Sequence, residues 1–437
     1  MTANIIRFAC RSILFFNLVM ICQGQDQERP SDLFQRLKAI QGIYVKKIEA
    51  LPGFSEGFEL AVVQPLDHGN LKGPKFTQRV FLSHRDFSKP VVLETDGYGV
   101  PWPKERELAR ILDANQVIVE HRYYESSKPN PVKWEYLTTW QAASDHHRVV
   151  EILRAIYPGK WISSGRSKGG MAALFHRANY PNDVEATVVY VAPIMLGPID
   201  PRFEKHMNSL GDEPTREKIR RFQRTCLARR SELLPLLKEW SAKQKLTFAL
   251  GLDDVLERAI VEFPFSFWSG NRRGPEIPPP DAPKEQLFGL LRSVFPRLTE
   301  RQIAYHAALY YQQFTELGYH AYPTAHLQDL LQSVKDPDFS IYVPQDARNA
   351  TFRKEVMPAI LNDLQNEGRN IIYLYGEYDI WTSCAVEPTG KTQALKFIAR
   401  DKGHLFDIKD LGLPEREQIH AALESWLGIE IRRSKQN

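Results

Sequence analysis

Cysteine is scarce in this chain, with four in 437 residues, and none stands with histidine at a zinc-binding spacing. That excludes a zinc-stapled module. No block of like charge occurs: 57 basic and 53 acidic side chains are mixed along the chain, for a formal charge of +4. Nothing in the charge pattern suggests a nucleic-acid-binding arm, and charge says little about partners. No internal repeat is visible, and beyond the first two dozen residues no apolar run reaches the length of a membrane span. What remains, 43% hydrophobic and 25% charged, is the composition of a globular protein. The length allows one large domain with an insertion, or two domains of usual size.

The N-terminus reads as a targeting segment. Arg7 and Arg11 precede the apolar run "SILFFNLVMIC", and "CQGQDQERP" then turns polar, with Cys22 and Gly24 at the −3 and −1 positions of a cleavage site. The run is shorter than the ~20 residues a span needs, so cleavage and export are expected rather than anchoring. Removal of residues 1–24 takes away two arginines and no acid, lowering the formal charge from +4 to +2. Cys10 and Cys22 leave with it. Cys226 and Cys384 remain, either as a disulfide or as two buried thiols.

From Phe58 to Val119, "FELAVV", "QRVFLS", "PVVLET" and "QVIVEH" read as strands separated by turn signals. "WEYLTTWQAASDHHRVVEILRAIYPG" has helical periodicity and stops at Pro158-Gly159. "KWISS", "KGGMAALFHRANYP" and "VEATVVYVAPIM" follow as strand, helix and buried strand. This alternation predicts a mostly parallel sheet with helices on its faces. Residues 200–345 are instead helix-rich, as in "REKIRRFQRTCLARRSELLPLLKEW" and "RQIAYHAALYYQQFTELGY", and are interrupted by the Pro-rich loop "GNRRGPEIPPPDAPKEQ". Strands return with "NIIYLYGEYD" and "ALKFIA", and "EREQIHAALESWLG" closes the chain as a helix. The expected organisation is a leader (1–24), a core in two parts (25–199 and 346–437) and a helical cap inserted between them (200–345).

Gly165-Arg166-Ser167-Lys168-Gly169 fits G-x-S-x-G between a strand and a helix. There the glycines permit a tight turn that lifts the serine hydroxyl above the sheet, and the Lys168 N–H opens the helix toward a developing oxyanion. A serine nucleophile needs a base and an orienting carboxylate, which in this turn's fold follow in the order Ser, acid, His. Asp379 follows "NIIYLYGEY" and His404 follows "ALKFIA", both at strand ends; Glu377 is the rival acid. His306, His320 and His326 precede the acid and fall outside this order. The expected fold is therefore an α/β-hydrolase with a helical cap. "DHH" (Asp145–His147) lies within one helix and lacks a second ligand set for a metal. Asn349-Ala350-Thr351 matches a glycosylation acceptor.

Four segments, "SKGGM", "EHRYYESSKP" (Glu120–Pro129), "VVQPLDHGN" (Val62–Asn70) and "FTELGY" (Phe314–Tyr319), together resemble secreted bacterial prolyl tri/tetrapeptidyl aminopeptidases. These are serine peptidases of the same clan as lysosomal prolyl carboxypeptidase and dipeptidyl peptidase II. The resemblance runs over roughly residues 60 to 410, and departs from the pattern at Glu125 and Arg166, where glycine is usual. It implies Ser167, Asp379 and His404 as the charge-relay residues. It implies "TDGYG" (Thr95–Gly99) as the second half of the oxyanion hole, through the N–H of Gly97 or Tyr98. An aminopeptidase must pair the substrate ammonium with a carboxylate, and Glu120, Glu125 and Glu316 stand within the family-like segments; internal ion pairing is the alternative for each. "FPFSFW" (Phe263–Trp268) and "YYQQF" either line a prolyl pocket or form the insertion's own core. The expectation is an exported exopeptidase acting on peptide substrates, with no metal, organic cofactor, nucleic acid or stable membrane insertion. A carboxylesterase or lipase with the same residues, and a non-catalytic protein of the same fold, are the alternatives.

Overall fold

In a computed structural model, the structure describes residues 31–270, 277–334 and 339–431. The expected leader lies outside the described residues. Among the described residues eleven strands form: β1 Ile43–Ile48, β2 Glu56–Pro65, β3 Lys75–His84, β4 Val91–Thr95, β5 Asn115–Val119, β6 Trp161–Arg166, β7 Ala186–Tyr190, β8 Ile199–Asp200, β9 Tyr319–His320, β10 Ile371–Gly376 and β11 Ala394–Ala399. Nine make one sheet in the order β1-β2-β3-β5-β4-β6-β7-β10-β11. The six from β5 to β11 in that order run parallel, while β1, β2 and β3 add antiparallel pairs at one edge.

Every residue of β4, β5, β7 and β10 is buried, as parallel strands must be when helices cover both faces. On one face Val149, Val150 and Leu153 pack with Leu33, Leu37 and Trp161. On the other, Leu108, Ile419, Leu423 and Leu427 cover Ile162, Val188, Ile372 and Leu374. This is the α/β-hydrolase fold. Its parallel strands end along one edge of the sheet, so the segments that follow β4, β6, β10 and β11 converge there.

The helix expected over 134–159 begins later, at Thr139, because the Thr138 side chain accepts the Gln141 N–H at 3.1 Å and caps it there. Between β7 and β10 lie the helices Glu213–Ala228, Arg230–Gln244 and Leu252–Ser269, among shorter ones. The single helical run read around 216–240 is two helices, broken at Arg229. The end of the Pro-rich stretch is not loop: Pro283 precedes a helix from Lys284 to Leu291. The two-residue strands β8 and β9 pair in parallel, tying the start of this helical insertion to its later part. Among the described residues no helix is long and apolar enough to cross a membrane.

Three sequence segments meet in one buried knot. Arg122, fully buried, donates to Asp145 at 2.7 and 2.9 Å and to the Tyr136 carbonyl at 2.6 Å. His68 Nε2 meets the same Asp145 carboxylate at 2.8 Å. Burial pushes the Asp145 carboxyl up, but Arg122 and His68 outweigh it and hold the group below its ordinary range. Asp145 thus faces a guanidinium and an imidazole, and His147 turns away to Asp183 at 2.8 Å. Cys226 and Cys384 are both buried and free, which settles the open alternative in favour of thiols.

Candidate active site

Ser167 follows β6 directly and precedes the helix Lys168–Asn179, with φ +56° and ψ −127°. A non-glycine residue held there is strained by about 1–3 kcal/mol, which the surrounding packing must sustain. Ser167 N donates to the Tyr190 carbonyl at 2.8 Å, and Met171 N donates to the Ser167 carbonyl at 2.9 Å. The flanking glycines let the helix press onto the sheet: a Cβ on Gly165 would stand 2.4 Å from the Gly169 carbonyl oxygen, and one on Gly169 would stand 2.4 Å from that of Thr95. The turn is a nucleophile elbow in geometry as well as in sequence.

Lys168 opens the helix, so its N–H has no carbonyl four residues back to bind. Its side chain does something the sequence does not announce. It is buried, donates from Nζ to the Gly97 carbonyl at 2.7 Å, and stands 5.7 and 5.4 Å from the ring centres of Tyr98 and Tyr124. Burial drives the ammonium well below its ordinary pKa, with Asp96 opposing.

The Thr95–Gly99 turn differs in detail from the expectation. The Tyr98 N–H is already engaged with the Asp96 carboxylate at 3.1 Å, which also draws on the Gly97 backbone. Such a short-range side-chain bond competes directly for a turn's N–H groups. It is the Tyr98 phenol that stands near the serine, where the Ser167 side chain favours its ionised form slightly. Burial raises that phenol far above its usual pKa, so it stays protonated and able to donate.

Asp379 lies just beyond β10 and is fully buried. One oxygen meets His404 Nδ1 at 2.7 Å, and the other accepts the Trp381 N–H at 3.3 Å. His404, beyond β11, is anchored through its own N–H to the Ser269 carbonyl at 3.1 Å. Glu377 points elsewhere: it is exposed and accepts the Asp401 N–H at 2.8 Å. Gly376 makes the close approach possible, since a Cβ there would lie 2.1 Å from the Gly403 carbonyl oxygen. Arg166 reaches the same loop, pairing with Asp407 at 3.0 Å with its guanidinium 4.6 Å from the Tyr190 ring centre.

The three glutamates have different surroundings. Glu120 is fully buried and consumed: it accepts Val100 N at 2.9 Å, Ser127 N at 3.0 Å and Ser127 Oγ at 2.8 Å. Glu316 is buried between Thr139 N at 2.7 Å and Arg353 at 2.5 Å. Neither offers a carboxylate to a ligand, because each already satisfies backbone donors that would otherwise be buried unpaired. Glu125 alone is exposed, beside Gly99. Sequence reading missed Glu262, an acid inside the aromatic run "VEFPFSFW". With Tyr98, Phe265, Tyr310, His320 and Trp381 it lines a cavity of about 240 Å³. "FPFSFW" is thus both things at once: Phe265 faces this cavity, while Phe263 and Trp268 belong to the core.

Among solved structures, an acetyl xylan esterase from Paenibacillus sp. R4 aligns over 89% of this chain and 88% of its own, at 11% identity and a TM-score of 0.39. An alpha/beta fold family hydrolase from Bacillus anthracis str. Sterne aligns over 88% and 98%, at 12% identity and a TM-score of 0.35. In sequence, the prolyl tri/tetrapeptidyl aminopeptidase of Streptomyces mobaraensis is 32% identical over 416 residues, 91% of this chain and 86% of that protein. The lysosomal Pro-X carboxypeptidase of Homo sapiens is 28% identical over 171 residues, about a third of each chain (33% and 34%). The pattern of the PS-10 peptidase S37 family matches residues 27–435. With that match running through both parts of the sheet and the helical insertion, the chain belongs to the PS-10 peptidase S37 family and is a serine peptidase.

Proposed function

We propose that this chain is an exported serine exopeptidase that releases short N-terminal peptides from proline-containing substrates, with Ser167 as nucleophile, His404 as base and Asp379 as its orienting acid. The observation that carries the reading is the 2.7 Å bond between the buried Asp379 carboxylate and His404, formed on the sheet edge where Ser167 is held at φ +56°. The similarity to an aminopeptidase over 91% of this chain favours the amino end as the end that is read. The leader pattern of residues 1–24 supports export.

The chemistry follows from the groups. Ser167 Oγ attacks the prolyl carbonyl while His404 Nε2 takes its proton; Asp379 keeps the imidazole's other proton on Nδ1 and stabilises the imidazolium. The Lys168 N–H, with the Tyr98 phenol beside Ser167, faces the negative charge that develops on the carbonyl oxygen. His404 then returns the proton to the leaving amine, and water repeats the cycle on the acyl-enzyme. Each step uses a protein group.

A serine-directed fluorophosphonate should label Ser167, as read by peptide mapping, and Ser167→Ala should abolish both labelling and hydrolysis of prolyl peptide anilides. Labelling of another serine in active protein would overturn the assignment. Turnover of short esters with none of any prolyl peptide would overturn the peptidase reading. N-terminal sequencing of secreted protein should begin at Gln25; a retained leader would overturn cleavage.

A further inference from the structure

We propose that Glu262 is the carboxylate that holds the free α-amine of the substrate, inside the aromatic cavity that adjoins the reacting groups. This deepens the exopeptidase reading and rests on it. The helix Leu252–Ser269 presents Glu262 and, one turn on, Phe265 to that cavity. Two of the opposite walls touch the catalytic groups. Tyr98 interacts with the Ser167 side chain, and the Trp381 N–H sits on Asp379. The same helix ends at Ser269, whose carbonyl seats His404. A substrate with its carbonyl at Ser167 therefore has this cavity beside it.

The state of the carboxylate is the second observation. The fold satisfies several of its buried glutamates locally. Glu120 and Glu316 are saturated as described, and Glu257 binds Arg230 at 3.0 Å together with three successive backbone N–H groups, from Gln332 to Val334. Glu94, which burial also lifts to about 7, differs in having two guanidiniums, Arg106 and Arg166, among the lining of its own polar cavity. Glu262 has no ion-pair partner among the described residues; the Tyr322 phenol, which bonds His320 Nε2 at 2.6 Å, favours its ionised form only slightly. Arg258, four residues earlier, is spent on Asp254, and Arg297 is exposed at the cavity rim and acts only at a distance. Burial accordingly lifts the Glu262 carboxyl to about 7, against the pull of Arg297 and Arg258.

An unpaired carboxylate in an aromatic site is costly when the site is empty and is satisfied when a cation enters. A primary ammonium suits it. The amine donates charge-assisted hydrogen bonds to the carboxylate, and the rings of Phe265, Tyr319 and Tyr322 favour a cation near their faces. Glu262 would repel a substrate carboxylate, so the end of the peptide that reaches it is the amino end.

The test uses the full chain and a matched pair of prolyl tripeptide anilides, amine free or acetylated. Specificity constants are measured for wild type, Glu262→Gln, Glu262→Asp and Glu125→Gln. Wild type should prefer the free amine by at least about tenfold, the size of one charge-assisted hydrogen bond. Glu262→Gln should bring that ratio close to one by slowing the free-amine peptide. Glu262→Asp should keep an intermediate ratio, and Glu125→Gln the full one. The rate of fluorophosphonate labelling and the unfolding temperature of each variant establish that the site is formed. A wild-type ratio in both Glu262 variants would overturn the assignment while leaving the exopeptidase reading intact, as would loss of the ratio in Glu125→Gln instead. A wild-type enzyme indifferent to acetylation would overturn amino-end recognition, and this assignment with it.

Discussion

Replacing Asp379 by asparagine changes one atom and little volume, and the surroundings determine which way the amide turns. Trp381 N–H donates to one carboxylate oxygen at 3.3 Å while His404 Nδ1 lies 2.7 Å from the other. If the amide oxygen faces Nδ1, the NH₂ meets the Trp381 N–H, donor against donor, in a fully buried place. The opposite orientation satisfies Trp381 and sets the NH₂ against Nδ1, which must then accept. The imidazole proton moves to Nε2, and His404 can no longer take the proton of Ser167. Carboxylate-to-amide changes of this kind lower kcat by roughly 10⁴-fold, or about 5.4 kcal/mol of transition-state stabilisation. Because the loss concerns only the transition state, KM should stay within about threefold. The assay is hydrolysis of a prolyl tripeptide anilide by Asp379→Asn and Glu377→Gln, with the fluorophosphonate labelling rate as a second readout. Glu377→Gln, whose parent is exposed on a backbone N–H, should be near wild type. Near-normal turnover in Asp379→Asn, with loss in Glu377→Gln instead, would refute the reasoning and move the acid.

Arg122→Met should lower unfolding free energy by about 3–5 kcal/mol in denaturant titration, because it leaves the buried Asp145 without its guanidinium. The same knot sets an acid limit. The folded Asp145 pKa lies below its unfolded value, so its contribution is complete above about pH 4 and is lost as pH falls through the folded pKa; Asp145→Asn should flatten that part of the stability–pH curve. Gly376→Ala must displace the Gly403 backbone, against which its Cβ would stand at 2.1 Å, and with it His404. A shift of about 1 Å should cost on the order of 10²-fold in kcat/KM; wild-type activity would show that the approach is not needed. Arg166→Ala, although next to Ser167, removes an ion pair with both partners about one-third exposed (30% and 35%). Its unfolding midpoint should change by no more than about 1 kcal/mol equivalent.

Local signals carried much of the fold. Apolar runs of strand length placed β2 to β7 and β10, and "ALKFIA" coincides with β11 at Ala394–Ala399. The G-x-S-x-G turn and the chain order of acid and histidine were legible because each depends on a few neighbouring residues and their place at a strand end. β1 was not read, since "IYVKKI" is an edge strand with exposed lysines and shows little apolar alternation. The helix breaks at Arg229 and His306 carry no glycine or proline to mark them. The states of the acids were illegible for a deeper reason. Glu316 is paired with Arg353 and accepts a backbone N–H 177 residues away, and Glu120 is saturated through turns on two different segments. Glu262 stands unpaired because the insertion folds its helix over the sheet edge with no cation in contact. Periodicity, caps and turns are short-range physics and can be read along the chain. Which buried charge finds a partner depends on what the topology brings within about 4 Å, and only the folded chain holds that information.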